Sequence, residues 1–277
     1  MLLDKFKLNS KNALITGAAG LLGIEHAEAL LECGSIVVLT DIDGASLVSA
    51  KAKLSSRFDP DKIFIYTMDV TKIESLTFVA DSLETNGIGI NILINNAAID
   101  PKVNANDGLI ETSRLENFSL SQWNSEVSVG LTGAFLCSQI FGSRMAKVGT
   151  GGVIINIASD LSVFSPDQRI YRKIGLPEDL QSVKPVTYSV IKTGLIGLTR
   201  YLATYWADRG IRCNSLSPGG VYNGQSDEFV QRLSNLIPLG RMARRDEYRS
   251  VIQFLSSDAS SYMNGQNIVM DGGRSVW

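Results

Sequence analysis

Short apolar runs rich in β-branched residues alternate along this chain with longer amphipathic stretches. The runs NALIT (12–16), SIVVLT (35–40), KIFIYT (62–67), NILIN (91–95), GVIINIA (152–158), IRCNSL (211–216) and NIVM (267–270) read as seven strands. Helix-length segments lie between them. The clearest is 185–208, where Leu195, Leu198, Leu202, Tyr205 and Trp206 recur at three- and four-residue spacing and predict one apolar stripe. This strand-helix alternation predicts a doubly wound α/β fold, a parallel seven-stranded sheet with helices on both faces. No repeat, low-complexity tract or linker interrupts the pattern, so one domain over 1–277 is expected. Two connections are too long for tight turns, roughly 99–118 after the fourth strand and an inserted loop at about 160–185 after the fifth. Both leave the carboxyl end of a strand, where open α/β sheets bind ligands.

Composition narrows the chemistry. Hydrophobic residues are 44% and charged residues 19%, which excludes disorder as the main state. A net charge of −2 with no basic stretch gives no electrostatic footprint for nucleic acid. A single histidine, His26, excludes multi-histidine metal sites and leaves one candidate base for a Ser-His-Asp hydrolase. Cys33, Cys137 and Cys213 are odd in number and far apart, which suits core thiols in a reducing compartment. With no export signal or apolar span of about 18 residues, a cytoplasmic protein without membrane contact is expected.

The first strand runs into TGAAGLLG and then a helical stretch. Gly17, Gly20 and Gly23 provide a tight turn, close approach of the backbone to a pyrophosphate, and close helix-strand packing, with Leu21 and Leu22 opening the helix whose N-terminus attracts phosphate. Asp41 closes the second strand 18 residues after Gly23, near the spacing of a ribose-binding acid. A carboxylate there accepts hydrogen bonds from ribose hydroxyls and repels a 2′-phosphate, which favours NAD over NADP as cofactor.

Of the eight tyrosines only Tyr188 has a lysine at i+4, Lys192. The two share one helix face just after the long connection from strand five. A lysine cation close to a phenol favours the phenolate and makes a usable general base.

Taken together, these residues resemble the short-chain dehydrogenases/reductases, in their single-domain form of some 250 residues with a Rossmann-type sheet. The motifs run the length of the chain: TGAAGLLG, Asp41, Asp69-Val70, NNAA at 95–98, IINIAS ending in Ser159, YSVIK, SPGG at 217–220 and MDGG at 270–273. The resemblance implies Tyr188 as general acid/base and Lys192 as the residue that tunes it and holds the nicotinamide ribose. It implies Ser159 as the donor that positions the reacting oxygen, with Ser162 as the alternative serine. Asp69 and Val70 would hold the adenine side, Asn95 would support cofactor and strand, and Ala97, Pro218, Gly219, Val221 and Asn223 would complete the cofactor contacts. It also implies a homo-oligomer, commonly a tetramer, otherwise a dimer. The expected reaction is NAD-dependent interconversion of a secondary alcohol and a ketone by hydride transfer.

The chain departs from the family at four places. Leu21 replaces the middle glycine of TGxxxGxG, while Gly20 restores the TGxxGxxG of the larger epimerase relatives. Ala98 replaces the glycine of NNAG, and Asn223 stands where a threonine usually meets the nicotinamide carboxamide. The fourth is Gly130, in WNSEVSVGLTGAF, where the family carries the asparagine of a proton relay. Either a side chain from the 99–118 loop brings water to Lys192, or the chain is a catalytically weak NAD-binding sensor or partner subunit. Substrate class is read from the insertion. Between Ser159 and Tyr188 lie 28 residues where the family has about a dozen, and they bring Arg169, Tyr171, Arg172 and Lys173 near the cleft, with Tyr222 a further candidate substrate contact. Arginine forks bind carboxylate and phosphate, so a sugar, polyol or phosphorylated or nucleotide-linked sugar is expected. The competing reading is a solvated or subunit-contacting loop with its charges paired to Glu178 and Asp179.

Overall fold

The computed structural model describes residues 2–99 and 112–277. Seven strands, β1 (Asn12–Thr16), β2 (Ile36–Asp41), β3 (Ile63–Thr67), β4 (Ile92–Asn95), β5 (Gly152–Ile157), β6 (Ile211–Pro218) and β7 (Asn267–Met270), pair in parallel in the order β3-β2-β1-β4-β5-β6-β7. All seven apolar runs form strands, with ends shifted by at most two residues.

The apolar runs are continuous because both faces of the sheet are covered. Side chains of successive residues point to opposite faces, so Leu14 and Ile15 enter different cores. One core joins Ile15, Leu39 and Ile94 to α1 (Leu21–Glu32), α2 (Gly44–Ser55) and α9 (Arg249–Ser256). The other joins Leu14, Val38 and Ile154 to α3 (Ile73–Thr85) and to Phe141 and Leu202. Phe141 belongs to a long helical segment made of α4 (Leu120–Val127), α5 (Gly133–Cys137) and α6 (Ser143–Val148). These pieces are joined through π-helical turns at Ser128–Thr132 and Ser138–Gly142, which hydrophobic periodicity does not reveal. Leu202 belongs to α7 (Val186–Tyr205), and α8 (Asp227–Ser234) lies beyond β6. On α7, Leu195 and Leu202 are buried as the stripe requires, but Tyr205 is exposed. Its ring stacks on Tyr201 one turn earlier, with centroids 5.5 Å apart, instead of entering the core.

Cys137 and Cys213 are buried free thiols, each pushed up to about 12 by burial. Among the described residues no helix is long and apolar enough to cross a membrane. The strand order reverses between β1 and β4, so their carboxyl ends open a crevice flanked by Thr16 and Asn95.

Candidate active site

The glycine turn is fixed by steric contact. Gly17 has φ +60°, and a Cβ there would lie 2.8 Å from the Ala97 Cα; a Cβ on Gly23 would lie 2.5 Å from the Gly17 carbonyl oxygen. Helix α1 starts at Leu21 after Gly20, and no side chain caps its first amides. Those N–H groups are available to an anion. Asn96, not among the expected site residues, pins the turn to the end of β4: its Nδ2 donates to the Thr16 and Gly17 carbonyl oxygens, both at 3.0 Å. Thr16 Oγ1 accepts in return from the Asn96 and Ala97 amides at 3.0 Å. The signal for it lies in NNAA, whose second asparagine is Asn96.

Gly17, Gly20, Leu21, Leu22, Asp41, Asp69, Val70 and Ala97 line one cleft beside this turn. The Asp41 carboxylate accepts from the amides of Ala19 and Asp43, each at 3.2 Å. Burial raises the pKa of Asp69, but the hydroxyl and amide of Thr71 and the ammonium of Lys72 outweigh it and hold the carboxyl below its ordinary range. A cradle that only glycine can form, uncapped helix amides and a carboxylate at the tip of β2 together fit the phosphates and ribose of a nicotinamide dinucleotide.

A second cleft continues from the first, sharing Leu21, Leu22 and Asn96, and contains Ser159, Tyr188 and Lys192. Three elements converge there. Ser159 leaves the end of β5, Tyr188 and Lys192 lie one turn apart on α7, and the end of β6 brings Pro218, Gly219, Val221 and Asn223. Ser159 Oγ donates to Asp160 Oδ1 at 2.9 Å and accepts from the Leu161 amide at 3.2 Å. Ser162 is turned elsewhere, bonding the Ser159 carbonyl oxygen and Ser217, and does not line the cleft. Lys192 Nζ donates to the Ile157 carbonyl oxygen at 2.8 Å and lies 5.8 Å from the centre of the Tyr188 ring. Lys184 Nζ lies against that ring at 3.7 Å. Arg274 also lines the cleft and pairs with Asp160 at 3.1 Å, while burial raises the pKa of Asp160 and Arg274 opposes the rise.

Several expected residues lie elsewhere. Asn95 is buried, and its Nδ2 donates to Asn156 Oδ1 at 2.8 Å and Ser138 Oγ at 3.1 Å, so it ties β4 to β5 and to the helix behind rather than facing either cleft. Gly23 serves packing and lines neither cleft. Asn223 lines the second cleft, with its Oδ1 accepting from Arg245. The insertion corrects the expected cations. Arg169 pairs with Asp167 at 2.7 Å and Arg172 with Glu178 at 2.9 Å, and neither they nor Lys173 line the cleft. Each arginine has a carboxylate within its own loop, Arg169 bonding Asp167 through Nε and Nη2 and Arg172 bonding Glu178 through Nη2. From that segment Ile170 and Tyr171 reach the cleft, Tyr171 packing on Phe229 with centroids 5.6 Å apart. Tyr222 is exposed and outside it. Of the 99–118 connection, residues 100–111 lie outside the described residues. His26 is no hydrolase base, being fully buried on α1 with its pKa pushed down to about 3 by desolvation.

The family model described as short chain dehydrogenase matches residues 11–171, and that described as enoyl-(acyl carrier protein) reductase matches 180–275. The D-threitol dehydrogenase of Mycolicibacterium smegmatis is 31% identical over 276 residues, covering 98% of this chain and 95% of its own length. A crystal structure of a gluconate 5-dehydrogenase from Burkholderia cenocepacia with NADP and tartrate superposes with TM-score 0.82 at 27% identity, over the whole of both chains. One of a short-chain dehydrogenase from Leptospira borgpetersenii with bound NAD+ superposes with TM-score 0.80 at 30% identity, covering 98% of this chain and 94% of the other.

Proposed function

The chain belongs to the short-chain dehydrogenase family and is an oxidoreductase acting on CH–OH groups, and from that premise we propose that it interconverts a secondary alcohol and a ketone on a polyol or sugar acid, using NAD. The observation that carries this reading is the convergence of Ser159, Tyr188 and Lys192 on one cleft continuous with the glycine turn.

The nicotinamide supplies the hydride chemistry when bound. Asp41, the glycine turn and the first amides of α1 hold its adenine and phosphate end. Tyr188 takes the proton from the substrate hydroxyl, or returns it to the carbonyl in the reverse direction. Lys192 places a positive charge beside it, and Ser159 donates to the reacting oxygen once its hydrogen turns from Asp160. For the cofactor, a 2′-phosphate at Asp41 would meet a carboxylate of like charge, which supports NAD over NADP. A polar substrate is supported by the cleft's lining: Lys184, Gln225, Asn223 and Arg274 sit among the apolar residues. These groups take the place of Arg169, Arg172 and Lys173 in recognising hydroxyl and carboxylate groups. The relatives' names, threitol and gluconate dehydrogenases, point the same way. The enzyme acts as a homo-oligomer, a reading supported by the exposed, stacked Tyr201 and Tyr205 on α7.

The test is a panel of polyols, aldonates, acyl thioester ketones and steroid alcohols, each assayed with NAD and NADP, with light scattering for the assembly state. Turnover of polyols or aldonates with NAD at a kcat/KM at least tenfold above that with NADP is the expected result. A preference for NADP, or for steroid or acyl substrates, overturns the corresponding half of the reading.

A further inference from the structure

Where the family carries the relay asparagine this chain has Gly130, and the structure offers a carboxylate one helical turn away. Glu126, near the end of α4, precedes Gly130 by four residues, so the two lie on one face of the helical segment. Its side chain is buried. Oε1 accepts from Gln122 Nε2 at 2.9 Å and Oε2 accepts from the Thr187 hydroxyl, which leaves each oxygen able to accept again.

Glu126, Gly130, Tyr188, Ile191 and Lys192 line one small cavity behind the catalytic pair. It offers about 10 Å³ to the centre of a water, enough for roughly one molecule. A Cβ at Gly130 would lie 2.8 Å from Ile191 Cγ2, so an asparagine cannot be placed there without moving Ile191. The glycine therefore keeps the space open, and the carboxylate comes from the preceding turn. A buried carboxylate is costly unless a cation shares its surroundings, and among the described residues the cation lining this cavity is Lys192.

We infer that Glu126 is the proton-relay carboxylate of this enzyme, acting through a water in that cavity. The inference rests on the reading of Tyr188 and Lys192 as the acid/base pair. In alcohol oxidation, where a bound nicotinamide would accept the carbinol hydride, the hydroxyl proton passes to the Tyr188 oxygen. Tyr188 then gives that proton to the cavity water as the water gives one of its own to Glu126. Glu126 releases it to solvent, so one proton leaves per turnover; reduction reverses each step. Among the described residues, the ionisable groups facing the path are Glu126 on α4, Tyr188 and Lys192 on α7, and Lys184 against the tyrosine ring. Glu126 is a positioning and relay residue, since it reaches the reacting atoms only through water.

The competing role is a structural staple joining α4 to α7 through Thr187, which a neutral side chain would also fill. Glu126→Gln in the full-length enzyme separates the two. The relay predicts a kcat loss on the order of 10²-fold, a displaced acidic limb of the kcat profile, and KM for the alcohol within about twofold of wild type. NAD affinity by calorimetry and the melting temperature should be unchanged. In Glu126→Ala, added formate should restore kcat at least tenfold. If E126Q does not fold, a proton inventory of kcat on the wild-type enzyme decides: a curved dependence on deuterium fraction supports two or more protons in flight, and a linear one overturns the relay. A kcat for E126Q within twofold of wild type from pH 5 to 10, or no formate rescue of a folded E126A, also overturns it. Tyr188→Phe is the control, since activity retained there would overturn the underlying acid/base reading instead.

Discussion

At the glycine turn the backbone has no alternative path: Gly17 sits at positive φ, and any side chain at Gly23 would run into the Gly17 carbonyl oxygen. The 160–185 segment borders the same crevice but is held by polar side chains. Gln181 Nε2 donates to the Lys173 and Leu176 carbonyl oxygens at 2.9 and 2.7 Å, and its Oε1 accepts from the Lys173 amide at 2.7 Å. Backbone shape is set by the absence of side chains in the first region and by their presence in the second. A substitution in the first should therefore disturb geometry that the cofactor needs, whereas one in the second should loosen a local loop.

The largest effect is expected from Gly23→Ala, whose Cβ meets only backbone atoms within 3 Å. Over-packing of this kind costs up to about 3 kcal/mol, and the rise in melting temperature that NAD gives the wild type should be lost. Equal NAD-induced shifts in both proteins would break the contrast. Next comes His26 on the helix that carries the turn. Its folded pKa of about 3 lies below the ordinary 6.5, so between those values the unfolded chain binds a proton that the native state does not. Stability therefore falls as pH drops through 6.5 and goes on falling to about 3. From pH 7 to pH 5 the loss is about 2 kcal/mol, from 1.5 pH units at about 1.36 kcal/mol each. His26→Leu should remove that share of the acid sensitivity in urea titrations at the two pH values. Gln181→Ala follows, at about 1–2 kcal/mol of local stability, read as faster amide exchange at 172–177 with unchanged NAD binding. The smallest effects belong to Arg169→Ala and Arg172→Ala, exposed ion pairs that solvent largely screens. Their KM for substrate should stay within twofold of wild type, and a tenfold rise in either would return the insertion to the substrate site.

The same contrast explains what could be read in the sequence. Strands, the glycine turn, Asp41 and the Tyr188–Lys192 spacing were legible because periodicity and backbone necessity express themselves within a few residues. Asn96 was missed because its task, bonding the Thr16 and Gly17 carbonyl oxygens, spans about 80 residues of sequence. Arg169 and Arg172 looked like ligand forks because sequence shows charge but not which carboxylate satisfies it. Glu126 was invisible for another reason. Its relation to Lys192 exists only where the helical segment meets α7, a contact between elements that no local spacing records.

The sheet order also sets a timetable for synthesis. β2 emerges soon after β1 and can cover one of its edges, but the other edge waits for β4, whose pairing residues start at Ile92 and meet Ala13. At roughly 5–20 residues per second that edge stays open for about 4–16 s on the ribosome. For that interval NALIT, which is apolar over most of its length, is an unpaired strand edge of the kind that recruits other chains. Slowing translation between residues 40 and 95 should lower the yield of soluble enzyme even though the finished protein is unaltered.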